Sequence, residues 1–419
     1  MTDTTHAEIP ESRTTTSAAL PAILVGGPPY AGKSVLTYNL TRALLECDVP
    51  HYAFRASPDG EGNWYLKGNL EIVEPFREQS KRKWSPDFRE LASHDIPKRQ
   101  LPLLVDIGGE PREEDHRIFK ACTHAILLLK EKDGPVAQLW HSYIQQNNLE
   151  LIAEIYSQEL GTSVLTATQP IITGTLTTKL SPQKRMQSEI FLTLLERVKQ
   201  LFGADTPEKL ERTRTKLEAW HMSQAPQGFM LVNLPTWHDK LDPDDHDPYK
   251  WTQETLQQLM PKLPREPLAV YGSGPAWLYS ALALHAQTQP FCQFDARFGW
   301  RTPPLLLAGT PEELTRSTLK IDEPDVIDGI YAITLTPEYG YLDYDKMNQF
   351  VLPEPPTQGG VIIGGKLPLW FFTALARFYA QKNVSWIALN DAQDNQPVVI
   401  YSKVAAHPLG EKFPMPERE

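Results

Sequence analysis

The chain has 419 residues, enough for roughly two to four domains at about 150 residues each. Hydrophobic residues make up 41%, charged residues 22%, and the formal net charge is −11. That balance fits a globular protein and excludes one that coats long nucleic acid through a strong positive field, while leaving room for a local anion site. Three scattered cysteines, Cys47, Cys122 and Cys292, suit neither a disulfide framework nor a cysteine zinc site and point to a cytoplasmic protein. No apolar run approaches the ~20 residues of a membrane span.

Residues 1–20 are rich in Thr, Ser and Glu and read as a disordered tail, not a signal peptide. Ala22–Val25 then reads as a short strand, Ser34–Cys47 as a helix and His51–Arg55 as a second strand. Leu101–Asp106 and Ala125–Leu129 are continuous apolar runs, as expected of strands buried on both faces. Leu149–Tyr156 and Ile171–Leu176 are weaker strands, and helices are expected at Pro182–Phe202 and Thr206–Met222. Strands alternating with helices predict an α/β fold, with a parallel-sheet domain over residues 21–224.

The loop after the first strand is Gly27-Pro28-Pro29-Tyr30-Ala31-Gly32-Lys33-Ser34. It fits the G-x-x-x-x-G-K-[ST] pattern in full, between a strand and a helix. Gly27 and Gly32 let the backbone curl so that N–H groups face phosphate oxygens, and the helix dipole adds to them. Lys33 would reach the outer phosphates. Ser34, with Asp106 at the end of another strand, would hold Mg²⁺. This portion resembles P-loop NTPases, nearer the small kinase and GTPase branches than the hexameric motors, and so implies ATP and Mg²⁺. Asp59 and Glu61, after the second strand, are candidates for a second substrate or a plain polar loop; Lys81-Arg82-Lys83 reads as a solvated face.

Beyond residue 224 a repeat emerges. Gly272-Ser273-Gly274-Pro275-Ala276-Trp277 recurs as Gly365-Lys366-Leu367-Pro368-Leu369-Trp370. The same offset aligns Ser280–Ala283 with Thr373–Ala376. Each copy has a strand before its glycine, Leu268–Tyr271 and Val361–Ile363, and a later strand ending in aspartate, Phe291–Asp295 and Ser385–Asp391. A strand and helix open each copy, Phe229–Leu234 with Trp251–Leu259 and Tyr331–Leu335 with Tyr344–Phe350. Residues 225–325 and 326–419 are therefore expected to be two small α/β domains, each roughly 95 residues and too large for solenoid units.

In the first copy, Gly272 and Gly274 would bring backbone N–H groups to a phosphate, and Pro275 suits the first helical position. Arg297 would pair with a phosphodiester, and Asp295 would hold a metal or a hydroxyl. A tight strand-to-helix turn and a structural ion pair are the plainer readings. Trp277 and Trp370 read as core anchors. The acidic loop Asp242–Asp247 reads as surface, not as a metal site.

These motifs, with Pro290–Gly299, resemble the small CRISPR-associated ring nucleases of type III systems, which degrade the second messenger cyclic tetra-adenylate. The resemblance implies a pseudo-dimer of the two copies, Mn²⁺-assisted cleavage, and a ligand held by Gly272, Ser273, Gly274, Pro275, Gly365, Lys366, Pro368 and Asp391. Asp295, Arg297 and His285 are the expected catalytic group. The chain departs from the family's histidines, with Tyr279, Leu284 and Gln287 in their places, and the second copy lacks the arginine. Three functions follow: cleavage of the cyclic ligand, sensing without cleavage to gate the P-loop domain, or a kinase with a C-terminal scaffold. A homo-oligomer is expected, with no membrane or long nucleic acid as partner.

Overall fold

The computed structural model describes residues 20–56, 86–109, 111–178, 185–244, 250–286, 288–309, 319–321, 325–327, 329–337, 342–349, 351–355, 359–391 and 394–415. The expected tail 1–19, Asp59, Glu61, the Lys81–Lys83 cluster, residues 245–249 and Gln287 lie outside them.

The N-terminal lobe is built on β1 (Ala22–Gly26), β2 (Tyr52–Ala56), β3 (Leu103–Ile107), β4 (His124–Leu129), β5 (Glu150–Gln158), β6 (Val164–Ala167) and β7 (Ile172–Thr177). Their spatial order is β2-β3-β1-β4-β5-β7-β6, with every pair parallel except the edge pair β6–β7. The helices are α1 (Lys33–Glu46), α2 (Pro86–Asp95), α3 (His116–Ala121), α4 (Pro135–Gln146), α5 (Glu189–Leu201) and α6 (Pro207–Ser223). Successive strand residues point to opposite faces. Ile23 and Val25 thus join the α1 and α5 leucines in one core, while Ala22 and Leu24 join Phe119 of α3 and Trp140 of α4 in another. Helices cover both faces, as the unbroken apolar strands predict. The expected helix from Pro182 is observed from Glu189, after Ser188 in extended conformation. The sequence reading lacked β6 and α2–α3, which are short or weakly patterned, and also the twelve-residue α4.

The C-terminal lobe opens with β8 (Met230–Asn233), α7 (Leu234–Leu241) and α8 (Gln253–Leu259), then β9 (Leu268–Tyr271), α9 (Ala276–His285), β10 (Phe291–Asp295) and β11 (Gly299–Arg301). A short pair, β12 (Leu307–Ala308) with β16 (Val351–Leu352), lies apart from the larger sheets. The second repeat has β13 (Leu319–Ile321), β14 (Asp325–Ile327), β15 (Ile330–Pro337), β17 (Gly360–Gly365), α10 (Leu369–Ala380), β18 (Trp386–Asp391) and β19 (Gln396–Ser402). β13 and the start of β14 precede the expected boundary at residue 326, but both pair with β15, so the second sheet begins earlier than expected. The predicted helix at Tyr344–Phe350 is a 3₁₀ turn over Tyr344–Gln349.

The two sheets have one plan. β8-β9-β10-β11 and β15-β17-β18-β19 each run parallel, parallel, antiparallel. α9 packs on α10, and a single apolar cluster takes in Trp277, Leu278 and Leu282 of one repeat with Trp370, Phe371 and Leu375 of the other. Both tryptophans are core anchors. The repeats share one core because α9 and α10 are apolar almost all round, with seven and nine buried residues respectively, and such helices need cover on every side.

Candidate functional site

At the carboxyl end of β1 the chain turns through Gly27 (φ 137°) and Gly32 (φ 87°) before α1. A Cβ on Gly27 would lie 2.0 Å from the Leu128 carbonyl oxygen, and one on Gly32 would lie 2.5 Å from Thr178. Both backbone angles and space therefore demand glycine. Lys33 folds back on its own loop, and its ammonium donates to the Gly27 carbonyl (2.9 Å) and the Pro28 carbonyl (2.8 Å). Burial pulls its pKa down to about 8, opposed by Asp106 and reinforced by Lys130. α1 starts with no side-chain cap and no acid in its first turn. That end keeps its partial positive charge.

Two further groups complete the site, and sequence reasoning had not assigned either a role. Arg55, next to last in β2, is in register with Asp106 on β3. Its Nε is 3.6 Å from Asp106 Oδ2, and its Nη2 donates to Ser34 Oγ at 3.4 Å. The hydroxyl and the carboxylate expected to share a metal each contact this one guanidinium. Lys130 follows β4 directly, a position readable from the sequence, and sits 5.9 Å over the exposed Tyr30 ring. Gly109 meets the same loop: a Cβ there would be 2.5 Å from Pro29 N.

In the C-terminal lobe the two repeat glycines also have positive φ, 109° at Gly272 and 127° at Gly365. A Cβ on Gly365 would lie 1.9 Å from the Leu335 carbonyl oxygen. Ser273 is exposed and Lys366 half-buried at these turns. Gly274 packs close to Leu234, where a Cβ would meet Cδ1 at 2.9 Å. Pro275 and Pro368 are N-caps with extended backbone, so Pro275 stands one position outside the first helical position expected of it. A cap residue holds extended ψ while its carbonyl accepts the first helical bonds, and Pro275 accepts those of Leu278 and Tyr279.

Asp295 and Arg297 are together, but they hold each other. Arg297 Nε donates to Asp295 Oδ1 at 2.9 Å and Nη2 to Oδ2 at 2.8 Å, with both side chains largely buried. The guanidinium also lies 4.7 Å over the Phe298 ring. This is the structural ion pair weighed as the plainer reading. His285 is not with them. It ends the ten-residue α9, about 15 Å along the helix from Pro275, and its Nε2 is 3.0 Å from the Leu263 carbonyl. The expected three-residue catalytic group is therefore not assembled, because helix and strand carry their ends to opposite sides of the lobe. Among the described residues no group of three His, Cys, Asp or Glu is placed to hold a metal. With Asp295 paired to Arg297 and no cluster of further carboxylates or imidazoles beside it among the described residues, these donors do not fit the expected Mn²⁺.

The repeats meet through polar contacts as well. Trp277 Nε1 of the first donates to Asp391 Oδ2 of the second at 3.3 Å. Thr373 Oγ1 of the second donates to Gln293 Oε1 of the first at 2.8 Å. Asp391 lacks a neighbouring arginine in sequence, yet Lys412 Nζ stands 3.6 Å from it. That lysine comes from the C-terminal segment.

No helix of the described residues is long and apolar enough to cross a membrane. No curated protein matches the chain. Residues 335–413 match the family model of a CRISPR-associated protein, Cas_csx3, and this second repeat is the part of the chain that is similar to a CRISPR-associated protein.

Proposed function

We propose that this protein acts in CRISPR-linked antiviral signalling, with the paired repeats binding cyclic tetra-adenylate. The observation that carries this reading is the family match over residues 335–413, on a lobe whose other half repeats the same sheet plan. Gly272–Pro275 and Gly365–Pro368 each end a strand at a helix N-terminus. Paired similar halves suit a cyclic ligand with internal symmetry. Asp391 faces Trp277 across the repeats, so a ligand held there would touch both.

The N-terminal lobe is the nucleotide-binding part of the same proposal. Lys33 and the first turn of α1 would hold the phosphates of ATP. Ser34 and Asp106, which both contact Arg55, would hold Mg²⁺, which neutralises phosphate charge when bound.

Incubating the protein with labelled cyclic tetra-adenylate tests the reading. Binding is the expected outcome; its absence removes the proposal. A linear product would assign cleavage. Sensing without cleavage is the second reading, favoured by the Asp295–Arg297 pairing and the remote His285. Under it, uncleaved ligand changes ATP turnover.

A further inference from the structure

β2 and β3 are parallel neighbours with Arg55 opposite Asp106, so both side chains leave the sheet on one face at one level. Arg55 is buried, its side chain 9% exposed and that of Asp106 4%. Its guanidinium bridges the Asp106 carboxylate and the Ser34 hydroxyl, 3.6 Å and 3.4 Å away. These are the two groups that the nucleotide reading assigns to Mg²⁺. A buried carboxylate without a counter-charge is costly, and here the chain itself supplies the cation. A divalent ion and a guanidinium at the same two oxygens repel each other strongly at this depth.

We propose that Arg55 is a built-in counter-ion that holds the Asp106 and Ser34 oxygens when no metal is bound and is displaced when metal and nucleotide enter together. The released guanidinium would then face the terminal phosphate, whose oxygens accept its paired donors. Metal alone brings no anion for the displaced arginine and so binds poorly. Metal with nucleotide brings one. Arg55 is thus a positioning residue that couples metal binding to nucleotide binding. The inference rests on the nucleotide reading of this loop, and its test separates the two.

The probe is Mn²⁺ alone, titrated into the full chain and followed by electron paramagnetic resonance. Wild type is expected to bind it weakly. Arg55→Gln removes the charge and is expected to bind Mn²⁺ alone at least tenfold more tightly. Arg55→Met, similar in length and uncharged, does the same and stands in if the glutamine variant does not fold. Arg55→Lys keeps a cation and stays within about threefold of wild type. A non-hydrolysable ATP analogue forms the second arm: it raises wild-type Mn²⁺ affinity strongly and that of the neutral variants little. Unchanged Mn²⁺ affinity in both neutral variants overturns the proposal. If the analogue does not bind wild type at all, the nucleotide reading fails instead, and the metal-alone arm still decides the role of Arg55.

Discussion

His221 Nε2 lies 2.8 Å from the carbonyl oxygen of Gln100, joining α6 to the segment that leads into β3. A carbonyl only accepts, so Nε2 carries the proton and Nδ1 accepts from the Tyr271 hydroxyl, 2.8 Å away. The His221 carbonyl in turn accepts from Trp300 Nε1 at 2.8 Å, and Gln100 N donates to the Ala296 carbonyl at 3.0 Å. One fully buried imidazole therefore ties the segment before β3 to Tyr271 of β9, and Gln100 itself reaches Ala296, in the turn between Asp295 and Arg297.

Burial pushes the pKa of His221 down to about 4. The unfolded chain, with an ordinary histidine near 6.5, binds the proton first as pH falls. The stability due to neutral burial is thus whole above pH 6.5 and is lost as pH falls towards 4, by about 2 kcal/mol at pH 5. His51, also pushed down to about 4 by burial, adds to the same slope. Denaturation curves between pH 7 and 5 measure it. His221→Gln should flatten the dependence, and an unchanged slope in that variant contradicts the assignment.

Lys33 is the cation of the Gly27–Ser34 loop, held by two of that loop's carbonyls. Lys33→Ala is expected to lower ATP turnover at least about a hundredfold, since a phosphate-binding charge in a closed site contributes several kcal/mol. Steady-state phosphate release reports it. Retained turnover would remove the nucleotide assignment.

Gly365→Ala places a Cβ against the Leu335 carbonyl at a backbone angle of φ 127°. Strain of about 1–3 kcal/mol is expected. Gly228→Ala also has positive φ but nothing within 4 Å of the new Cβ, so it should cost less. Urea midpoints of the two variants rank the effects.

Thr373→Val removes the donor to buried Gln293, whose Nε2 already has no partner. A loss of about 1–3 kcal/mol is expected. The double variant Thr373→Val, Gln293→Leu should recover most of it, because Leu389 already occupies the corresponding place in the other repeat. A double variant as unstable as the single would show that the pair is not coupled.

The glycines at 27, 32, 272 and 365 were legible because each answers to a strand-to-helix turn a few residues long. The strand bearing Asp106 was legible as a continuous apolar run, and the one bearing Asp391 as the counterpart of the strand that ends in Asp295. The 3₁₀ turn at Tyr344–Gln349 was not, since one short apolar stretch fits a helix equally well. His285 was grouped with Asp295 as the histidine remaining on a helix where the resembled family carries several, yet α9 and β10 run in opposite directions and part them.

By itself the sequence determined the glycine–lysine–serine loop, the repeat and its strand order, since turn chemistry and apolar periodicity act over neighbouring residues. Tertiary structure alone decided that Arg55 stands at Asp106 and that Trp277 meets Asp391 from 114 residues away. Those choices depend on strand register and on which faces of two apolar helices come together. Neither leaves a trace in local residue order.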